Sequence, residues 1–323
     1  MRASTPSRSP WRTGSAAAGP AVPVGAGQPV LRAQHLSKSY HSPVLRDLDL
    51  DVEQGQFVAI MGPSGSGKST LLHCLSGMDR PDAGSVLLGG QEITSLSEKE
   101  LAALRLTRFG FVFQQAHLMT TLCLLDNIVL PGFLAGLRPR SEVTARGEEL
   151  MERMGIAELA TSGVTEVSGG QLQRAGICRA LINDPGIVFA DEPTGALNSA
   201  TALQILDLLG EIHASGTTLV MVTHDAQVAA RADRVLALVD GQIMEDLPLG
   251  WYEEPEGPSR LAAVTERPSS ATACDGAGSV ASTAAAATAR GGRGDVAQAQ
   301  EVAGLVPGGD TLRCSRSQGR RHR

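Results

Sequence analysis

Aromatic residues are scarce in this chain of 323 residues: six Phe, two Trp and two Tyr make up 3% of it. Proteins that bind single-stranded nucleic acid stack bases on aromatic side chains, and this composition offers few such platforms. Positive charge is also in the minority, because 28 Lys and Arg face 34 Asp and Glu, for a net charge of −6. A protein that covers a phosphate backbone needs the opposite balance. The sequence therefore predicts no nucleic-acid partner.

Cysteines are few and scattered. They are Cys74, Cys123, Cys178, Cys274 and Cys314, and no two of them form a C-x-x-C pair. An odd number without regular spacing argues against a disulfide framework and against a structural zinc site. We therefore expect the protein to work in a reducing compartment.

The sequence also lacks a long uninterrupted hydrophobic run. A membrane helix needs roughly 18 apolar residues, and the best candidate, residues 118–130, is shorter and contains Asp126 and Asn127. The N-terminal arginines are not followed by the continuous apolar segment of a secretory signal. We expect that the chain does not cross a membrane by itself.

Both ends of the chain are poor in large apolar side chains. Residues 1–28 are rich in Ser, Ala, Gly and Pro, and residues 249–323 contain an alanine-rich stretch and an arginine-rich end. Such segments bury too little apolar surface to offset the entropy of ordering. We predict a disordered extension at 1–28, a folded domain at 29–248 and a disordered tail at 249–323. The tail's arginines could contact acidic lipid or ribosomal RNA, but a solvated extension is the favoured interpretation.

Short apolar runs alternate with helix-periodic segments inside the folded domain. The strand candidates that follow the β-type opening segments are residues 56–61, 85–93, 110–114, 186–191 and 218–223. The helix candidates are residues 96–106, 141–160, 171–183 and 201–213. A hairpin is expected around Asp240 and Gly241. Strands that alternate with helices predict an α/β fold with a mostly parallel sheet.

Residues 62–70 read GPSGSGKST and satisfy the phosphate-binding pattern G-x-x-x-x-G-K-S/T. Glycines let consecutive N–H groups point at phosphate oxygens, and the following helix adds the positive end of its dipole. Lys68 would reach the β- and γ-phosphates, and Ser69 would offer a hydroxyl to Mg²⁺. An apolar strand before the loop disfavours a chance Gly/Ser turn, so we predict a nucleoside triphosphate site. Its residues are Gly62, Pro63, Ser64, Gly65, Ser66, Gly67, Lys68, Ser69 and Thr70.

Two adjacent acids follow another apolar run, at residues 187–190. At the tip of a buried strand, Asp191 suits a carboxylate that binds Mg²⁺ through water. Glu192, with its side chain turned elsewhere, suits a general base or a group that positions water. A solvated strand end is the alternative interpretation, and the phosphate loop disfavours it.

The segment VSGGQLQR offers a second anion site. Ser168, Gly169 and Gly170 start the helix of Gln171, and a helix N-terminus with bare amides attracts anions. One triphosphate does not need two such sites in one chain. We therefore predict a head-to-tail homodimer, in which this segment covers the nucleotide held by the partner's phosphate loop.

The phosphate loop, SGGQ, ADEP and a later histidine, in this order, resemble the nucleotide-binding subunits of ABC transporters. GFVFQQAHL and DEPTGAL are similar to the branch of macrolide-exporter, lipoprotein-release and antimicrobial-peptide-resistance ATPases. The resemblance covers about residues 30–247. It implies the ABC ATPase fold, an α/β P-loop NTPase (RecA-like) core with an N-terminal antiparallel β subdomain and an inserted α-helical subdomain at about residues 115–167.

The resemblance also implies roles for three further residues. Tyr40 matches the aromatic residue that stacks on adenine, Gln114 the glutamine that reaches Mg²⁺ and the attacking water, and His224 the histidine that contacts the γ-phosphate. A core tyrosine and a satisfied core histidine are the plainer interpretations, which the surrounding motifs disfavour. The implied catalytic residues are Glu192, His224 and Gln114, and the implied metal ligands are Ser69, Gln114 and Asp191.

Three positions depart from the family pattern. Val167 replaces the usual leucine and Leu172 a usual polar residue, and neither removes the anion-binding amides. Asn198 stands where an aspartate is typical, in the loop that crosses the dimer interface. It loses a charge but keeps a short hydrogen-bonding side chain. Because Glu192 and His224 are both present, we expect the site to hydrolyse ATP.

These expectations combine into one function. Two copies would sandwich two Mg·ATP, and hydrolysis would drive a separate integral-membrane permease that exports or extracts peptides, drugs or lipoproteins. The chain would be a peripheral protein on the cytoplasmic face of the plasma membrane, in contact with the membrane only through the permease. The alternative is a non-transport ABC ATPase that regulates a membrane partner in cell division or cell-wall control. A small-molecule kinase shares the phosphate loop but has no use for SGGQ.

Overall fold

The computed structural model describes residues 28–248. The chain divides into two units, Met1–Ser270 and Ala271–Arg323, and every described residue belongs to the first. Apart from Gln28, the predicted disordered segments at 1–28 and 249–323 lie outside the described residues, as do Cys274 and Cys314. The predicted domain limits therefore stay predictions.

The described residues form two sheets. In chain order the strands are β1 (Leu31–Ser39), β2 (Pro43–Val52), β3 (Phe57–Met61), β4 (Ala83–Leu88), β5 (Gln91–Glu92), β6 (Phe109–Phe113), β7 (Ile187–Asp191), β8 (Thr218–Val222), β9 (Arg234–Val239) and β10 (Gln242–Pro248). An antiparallel sheet has the order β2-β1-β4-β5, and the larger sheet has the order β10-β9-β3-β8-β7-β6. In the larger sheet β10 is antiparallel to β9 and the other pairs are parallel. Both the predicted parallel sheet and the predicted N-terminal antiparallel sheet are confirmed.

The helices connect these strands. They are α1 (Lys68–Leu75), α2 (Glu98–Arg108), α3 (Leu124–Ala135), α4 (Arg140–Arg153), α5 (Gly169–Leu181), α6 (Ser199–Ala214) and α7 (Ala226–Ala229). Between β6 and α5, α3 and α4 pack against each other and against α5. Two single 3₁₀ turns, Ala157–Leu159 and Val164–Glu166, complete this connection. These elements lie inside residues 115–167, where an inserted helical subdomain is expected.

Capping groups shift the helix ends from the predicted positions. α2 begins two residues late because Ser97 and Glu100 form a reciprocal capping box. α5 and α6 begin two residues early because the side chains of Ser168 and Asn198 accept backbone N–H bonds. α4 ends at Arg153 and not at residue 160, because the chain turns at Gly155 with a φ of +65°.

Each parallel strand faces two separate cores. In β3, Phe57, Ala59 and Met61 join the core formed with α3 to α6, while Val58 and Ile60 join the core formed with α1 and the antiparallel sheet. Successive side chains of a strand point to opposite faces, so a strand that is buried on both faces must be apolar throughout. This is why FVAIM reads as an unbroken apolar run.

The predicted hairpin between β9 and β10 supports the loop that follows β3. Asp240 and Gly241 both have positive φ, +49° and +79°, as a tight hairpin turn requires. Gly241 N–H donates to the carbonyl of Ser66 at 3.1 Å, and Arg46 N–H donates to the carbonyl of Gly241 at 3.0 Å. A Cβ at residue 241 would lie 2.2 Å from the carbonyl oxygen of Val44. The turn thus links the loop to β2 by a contact that only glycine permits.

A buried cluster of charges joins α4 to the end of α5. Asp184 Oδ2 accepts from Arg138 Nη2 at 2.5 Å, and Asp184 Oδ1 accepts from Arg146 Nη2 at 3.2 Å. The Asp184 side chain is 0% exposed, and the Arg146 side chain is 3% exposed. Charged groups that are this buried are tolerated only when each is paired with a group of opposite charge.

We expect Asp184→Ala to lower the free energy of unfolding by about 3–5 kcal/mol, because two buried guanidinium groups would lose their shared carboxylate. Equilibrium urea unfolding measures the change. The matched control is Asp207→Ala, which removes a pair with Arg231 whose carboxylate side chain is 63% exposed. The control should change stability by less than about 1 kcal/mol. Equal losses in the two variants would contradict the prediction.

Candidate functional site

The loop of residues 62–67 leaves the end of β3 and leads into α1. Gly62 has a φ of +154°, and a Cβ there would lie 2.0 Å from the carbonyl oxygen of Leu238 in β9. Only glycine therefore fits where the loop leaves the sheet. In the described structure no side chain caps the start of α1 at Gly67. The first N–H groups of α1 can therefore bind an anion.

Lys68 folds back across the loop. Its Nζ donates to the carbonyls of Gly62 at 2.9 Å and Pro63 at 2.8 Å. Burial lowers the pKa of Lys68, while the charges of Glu192 and Asp191 act in the opposite direction. The ammonium group is thus held among the loop's carbonyls, and nearby carboxylates help to keep it protonated.

Ser69, in the first turn of α1, and Asp191, at the end of β7, lie side by side, as the motif analysis predicts. Ser69 Oγ donates to Asp191 Oδ1 at 3.1 Å. Burial raises the pKa of Asp191, and the hydrogen bond from Ser69 opposes that shift. A hydroxyl and a carboxylate side by side form part of an oxygen donor set, of the kind that hard cations such as Mg²⁺ prefer.

Glu192 approaches both other predicted catalytic residues. His224 Nδ1 lies 3.3 Å from Glu192 Oε1, and the Glu192 backbone has a φ of +45°. A Cβ added to Gly195 would lie 2.9 Å from Gln114 Nε2 and 3.3 Å from Glu192 Oε2. The amide of Gln114 and the carboxylate of Glu192 therefore lie close to the same point beside Gly195. A positive φ at a non-glycine residue strains the backbone, and such residues are concentrated at functional sites.

One cleft of about 470 Å³ collects most of these groups. Its lining residues are Tyr40, Val44, Gly62, Ser64, Gly65, Gly67, Lys68, Ser69, Thr70, Glu192 and His224. Four other predicted residues do not line the cleft but adjoin residues that do, either in the chain or through the contacts described above. They are Pro63, Ser66, Gln114 and Asp191. Tyr40 is 58% exposed, so it is not a core tyrosine.

The SGGQ segment lies elsewhere in the chain's structure. Ser168 caps α5: its N–H donates to Gln171 Oε1 at 2.8 Å, and its Oγ accepts from Gln171 N–H at 3.4 Å. Among the described residues, Ser168, Gly169, Gly170 and Gln171 do not line the 470 Å³ cleft. Gly169 and Leu172 line a different cleft, together with Gln114 and Leu197.

The residues that depart from the family pattern keep local roles. Val167 and Leu172 are partly buried against the core that includes α5 and α6. Asn198 Oδ1 accepts from the N–H of Thr201 at 2.9 Å and caps α6. An aspartate carboxylate could accept the same bond, so the replacement preserves the helix start.

Sequence reasoning missed the surroundings of Tyr40. The Tyr40 hydroxyl donates to Asp79 Oδ2 at 2.5 Å, and Lys38 Nζ lies 5.1 Å from the ring centroid. Lys38 is the last residue but one of β1, and Tyr40 is the first residue after that strand, so their closeness in the chain could have suggested the contact. No sequence signal points to Asp79, which lies 39 residues away in the chain.

Comparison with known proteins decides the family. The family described as ABC transporter matches residues 45–195. The chain is also similar to the ATP-binding cassette MJ0796, solved as a dimer in a post-hydrolysis state bound to ADP and Pi, at 36% identity. That match has a TM-score of 0.64 and covers 68% of this chain and 98% of MJ0796. The chain belongs to the ABC transporter family.

Other solved and curated proteins agree with this assignment. The cassette cbiO1 of Clostridium perfringens, part of the ABC transporter complex cbiONQ, matches at 25% identity and a TM-score of 0.65, over 74% of this chain and 96% of cbiO1. The predicted ABC ATPase fold is thereby confirmed.

Curated relatives carry the name macrolide export ATP-binding/permease protein MacB. The MacB 1/2 protein of Paracoccus denitrificans is 44% identical over 237 residues, which are 72% of this chain and 35% of that protein. The MacB protein of Rhodopseudomonas palustris (strain BisB18) is 47% identical over 216 residues, which are 67% of this chain and 33% of that protein. Our ABC cassette thus spans about a third of the length of these relatives.

We expect Asp191→Asn to raise the thermal unfolding midpoint of the cassette at pH 7. Burial raises the folded-state pKa of Asp191 above an unfolded value of about 3.9. The charged form therefore destabilises the fold at any pH above the folded pKa, and this cost disappears as the pH falls to about 4. The measurement is the difference in midpoint between variant and parent, at pH 7 and near pH 4.

The difference in midpoint should be positive at pH 7 and should shrink on acidification. Asp207→Asn, at an exposed carboxylate, controls for the general effect of removing one negative charge. A lower midpoint for Asp191→Asn at pH 7, or a difference that is the same at both pH values, would contradict the sign of the shift.

Proposed function

We propose that the cassette is the ATP-hydrolysing nucleotide-binding subunit of a transporter. The observation that carries this proposal is the meeting of Lys68, the Ser69–Asp191 pair and the Glu192–His224 pair at one cleft. The phosphate loop and Lys68 bind the triphosphate, and the exposed ring of Tyr40 stacks on adenine. The names of the MacB relatives and of MJ0796, which state ATP binding, support ATP as the nucleotide.

The oxygen donors beside the loop fit Mg²⁺. This ion is usually held by one or two carboxylates together with substrate phosphates and water, and Ser69, Asp191 and Gln114 would supply the protein's share. Residues 28–248 contain no group of three or more His, Cys, Asp or Glu side chains that could hold a metal. Phosphate oxygens and water would complete the coordination. When bound, the ion neutralises charge that develops on the phosphates.

Glu192 is the general base in this proposal. Its carboxylate accepts a proton from the water that attacks the γ-phosphate, and the amide of Gln114, which also lies beside Gly195, orients that water. His224, 3.3 Å from Glu192 Oε1, positions the carboxylate and contacts the γ-phosphate. Lys68 stabilises the charge on the β- and γ-phosphates.

The position of the SGGQ segment supports a head-to-tail dimer. The segment presents a helix N-terminus outside its own chain's cleft, where a partner's γ-phosphate can bind it. Two copies then hold two ATP, each between Lys68 of one chain and Ser168–Gln171 of the other. The dimeric structures reported for MJ0796 support the formation of a dimer.

The cassette works with a membrane permease in this proposal, and the names of the MacB relatives, ATP-binding/permease protein, support that pairing. Within residues 28–248, no helix combines the length and apolar character needed to span a bilayer. We propose a permease that exports or extracts drugs, peptides or lipoproteins, with the cassette on the cytoplasmic face of the plasma membrane. A separate apolar cleft of about 420 Å³, lined by residues such as Leu106, Phe111, Phe113 and His117, adjoins Gln114 and suits this contact.

We expect Glu192→Gln to lower the ATPase rate by about a hundredfold or more, because the amide cannot accept the proton of water. The same variant should form a stable dimer with Mg·ATP, because the nucleotide is no longer cleaved. Phosphate release and size-exclusion chromatography with multi-angle light scattering measure the two effects. Hydrolysis at the parent rate would refute the role of Glu192, and a monomer under these conditions would refute the dimer.

We expect Gly169→Asp, in the Glu192→Gln background, to abolish the ATP-dependent dimer while ATP binding to the monomer is retained. A Cβ at residue 169 meets only Leu197 Cδ2 at 3.8 Å, so the monomer tolerates it, but the carboxylate repels the partner's γ-phosphate. Light scattering and calorimetric titration of Mg·ATP measure the two properties.

Gly210→Asp is the matched control for this prediction. It adds the same charge to a helical glycine of α6 with open space beside it, and its dimer should form normally. A Gly169→Asp protein that still dimerises would show that the SGGQ segment does not cover the partner's nucleotide.

A further inference from the structure

Three side chains converge at the end of β1 and on the segment that follows α1. Asp79 Oδ2 accepts from the Tyr40 hydroxyl at 2.5 Å, and Asp79 Oδ1 accepts from Lys38 Nζ at 2.9 Å. Lys38 Nζ also donates to the carbonyl of Arg80 at 2.6 Å and lies 5.1 Å from the Tyr40 ring centroid. One carboxylate thus holds both the phenol and the cation beside it. We call Lys38, Tyr40 and Asp79 the ring clamp.

The ring clamp has a largely buried cation, a partly exposed carboxylate and an exposed aromatic ring. The Lys38 side chain is 11% exposed and that of Asp79 is 31% exposed, whereas Tyr40 is 58% exposed. The charge-assisted hydrogen bond between Lys38 and Asp79 gives this pair a defined geometry. Because Lys38 lies over one face of the ring, a flat ligand must stack on the other face.

The phenol remains a hydrogen-bond donor in this arrangement. The hydrogen bond to Asp79 raises the pKa of Tyr40, and burial acts in the same direction. The hydroxyl therefore keeps its proton and its contact with Asp79. The side chain of Thr70, the last residue of the phosphate loop motif, acts on the pKa of Tyr40 in the opposite direction.

The ring clamp is anchored on the helix that carries the phosphate loop. Met78 N–H and Asp79 N–H both donate to the carbonyl of His73 in α1, at 2.9 Å and 3.2 Å. Since α1 begins at Lys68, the element that starts at the phosphate site also fixes Asp79. Tyr40 is thereby tied to the element that carries the phosphate loop, although it follows a strand of the other sheet.

We infer that Asp79 and Lys38 are positioning residues for the nucleobase, which hold Tyr40 in the place where a purine stacks while the triphosphate lies on the phosphate loop. The inference rests on the proposed function, because it concerns ATP bound at this cleft. It assigns a role to two residues that neither the motifs nor the relatives single out. Asp79 and Lys38 act through Tyr40 and touch no reacting atom.

The test compares a ligand that has a base with one that lacks it. Calorimetric titration measures the Kd of Mg·ATP and of Mg·tripolyphosphate for Asp79→Ala and for Tyr40→Phe. Each variant should bind ATP roughly fivefold to tenfold more weakly, which is part of what a stacked base contributes. Tripolyphosphate should bind as in the parent. In ATPase assays KM should rise by a similar factor, and kcat should stay within about twofold.

Two further variants separate positioning from general damage. Asp79→Asn keeps an oxygen that accepts from the Tyr40 hydroxyl and should recover most of the ATP affinity. Asp82→Ala removes a neighbouring carboxylate that accepts from Ser39 N–H at 2.6 Å and lies 3.8 Å from Lys38 Nζ, and it should bind ATP as the parent does. The double variant Tyr40→Phe with Asp79→Ala should lose no more affinity than either single variant.

Specific outcomes would overturn the inference. Parent-like ATP affinity in Tyr40→Phe, which leaves the Lys38–Asp79 ion pair intact, would show that the contact does not position the ring. An equal loss of tripolyphosphate affinity in Asp79→Ala would show that Asp79 supports the phosphate loop instead. A parent protein that does not bind ATP would overturn the proposed function itself, which is a different result.

Discussion

The parallel register of the larger sheet determines where the chemistry of this protein takes place. Neighbouring strands pair so that four residues share one level of the ladder: Ile60, Val222, Asp191 and Phe113. The groups that follow these strand ends within two residues are Gly62, Gln114, Glu192 and His224. A slip of one residue would exchange the two faces of a strand that has a core on each side. Core packing therefore protects the alignment of the site.

Much of this arrangement follows from the sequence alone. Apolar runs at β3, β7 and β8 end in Gly62, Asp191 and Thr223, and the carboxyl ends of parallel strands meet at one edge. The contact between Ser69 and Asp191 could be expected on that basis. Helix ends were less predictable, because the capping bonds of Ser97, Ser168 and Asn198 compete with apolar periodicity in setting the first turn. α3 was missed because its apolar residues and Pro131 resemble neither an amphipathic helix nor a strand.

Contacts between residues far apart in the sequence could not be predicted in the same way. Lys38 and Asp79 are 41 residues apart, and Arg138 and Asp184 are 46 apart. Each pair depends on how two elements pack after both have formed, and charged residues of these types usually read as solvated surface. The role of SGGQ, by contrast, could be anticipated, because one triphosphate does not need two anion sites in one chain. In the structure, the four residues of SGGQ do not line the cleft of the phosphate loop.

Helix α1 connects the phosphate loop to the residues that hold Tyr40. From Lys68 to His73 it rises about 7.5 Å, at 1.5 Å per residue. Lys68 begins this helix, and the carbonyl of His73 near its other end holds Asp79 and, through Asp79, the ring of Tyr40. In the proposed complex, the base would stack on Tyr40 while the phosphates lie on the loop at the start of α1. Recognition of the nucleotide would then depend on this helix, because it links the phosphate loop to the residue that holds the ring.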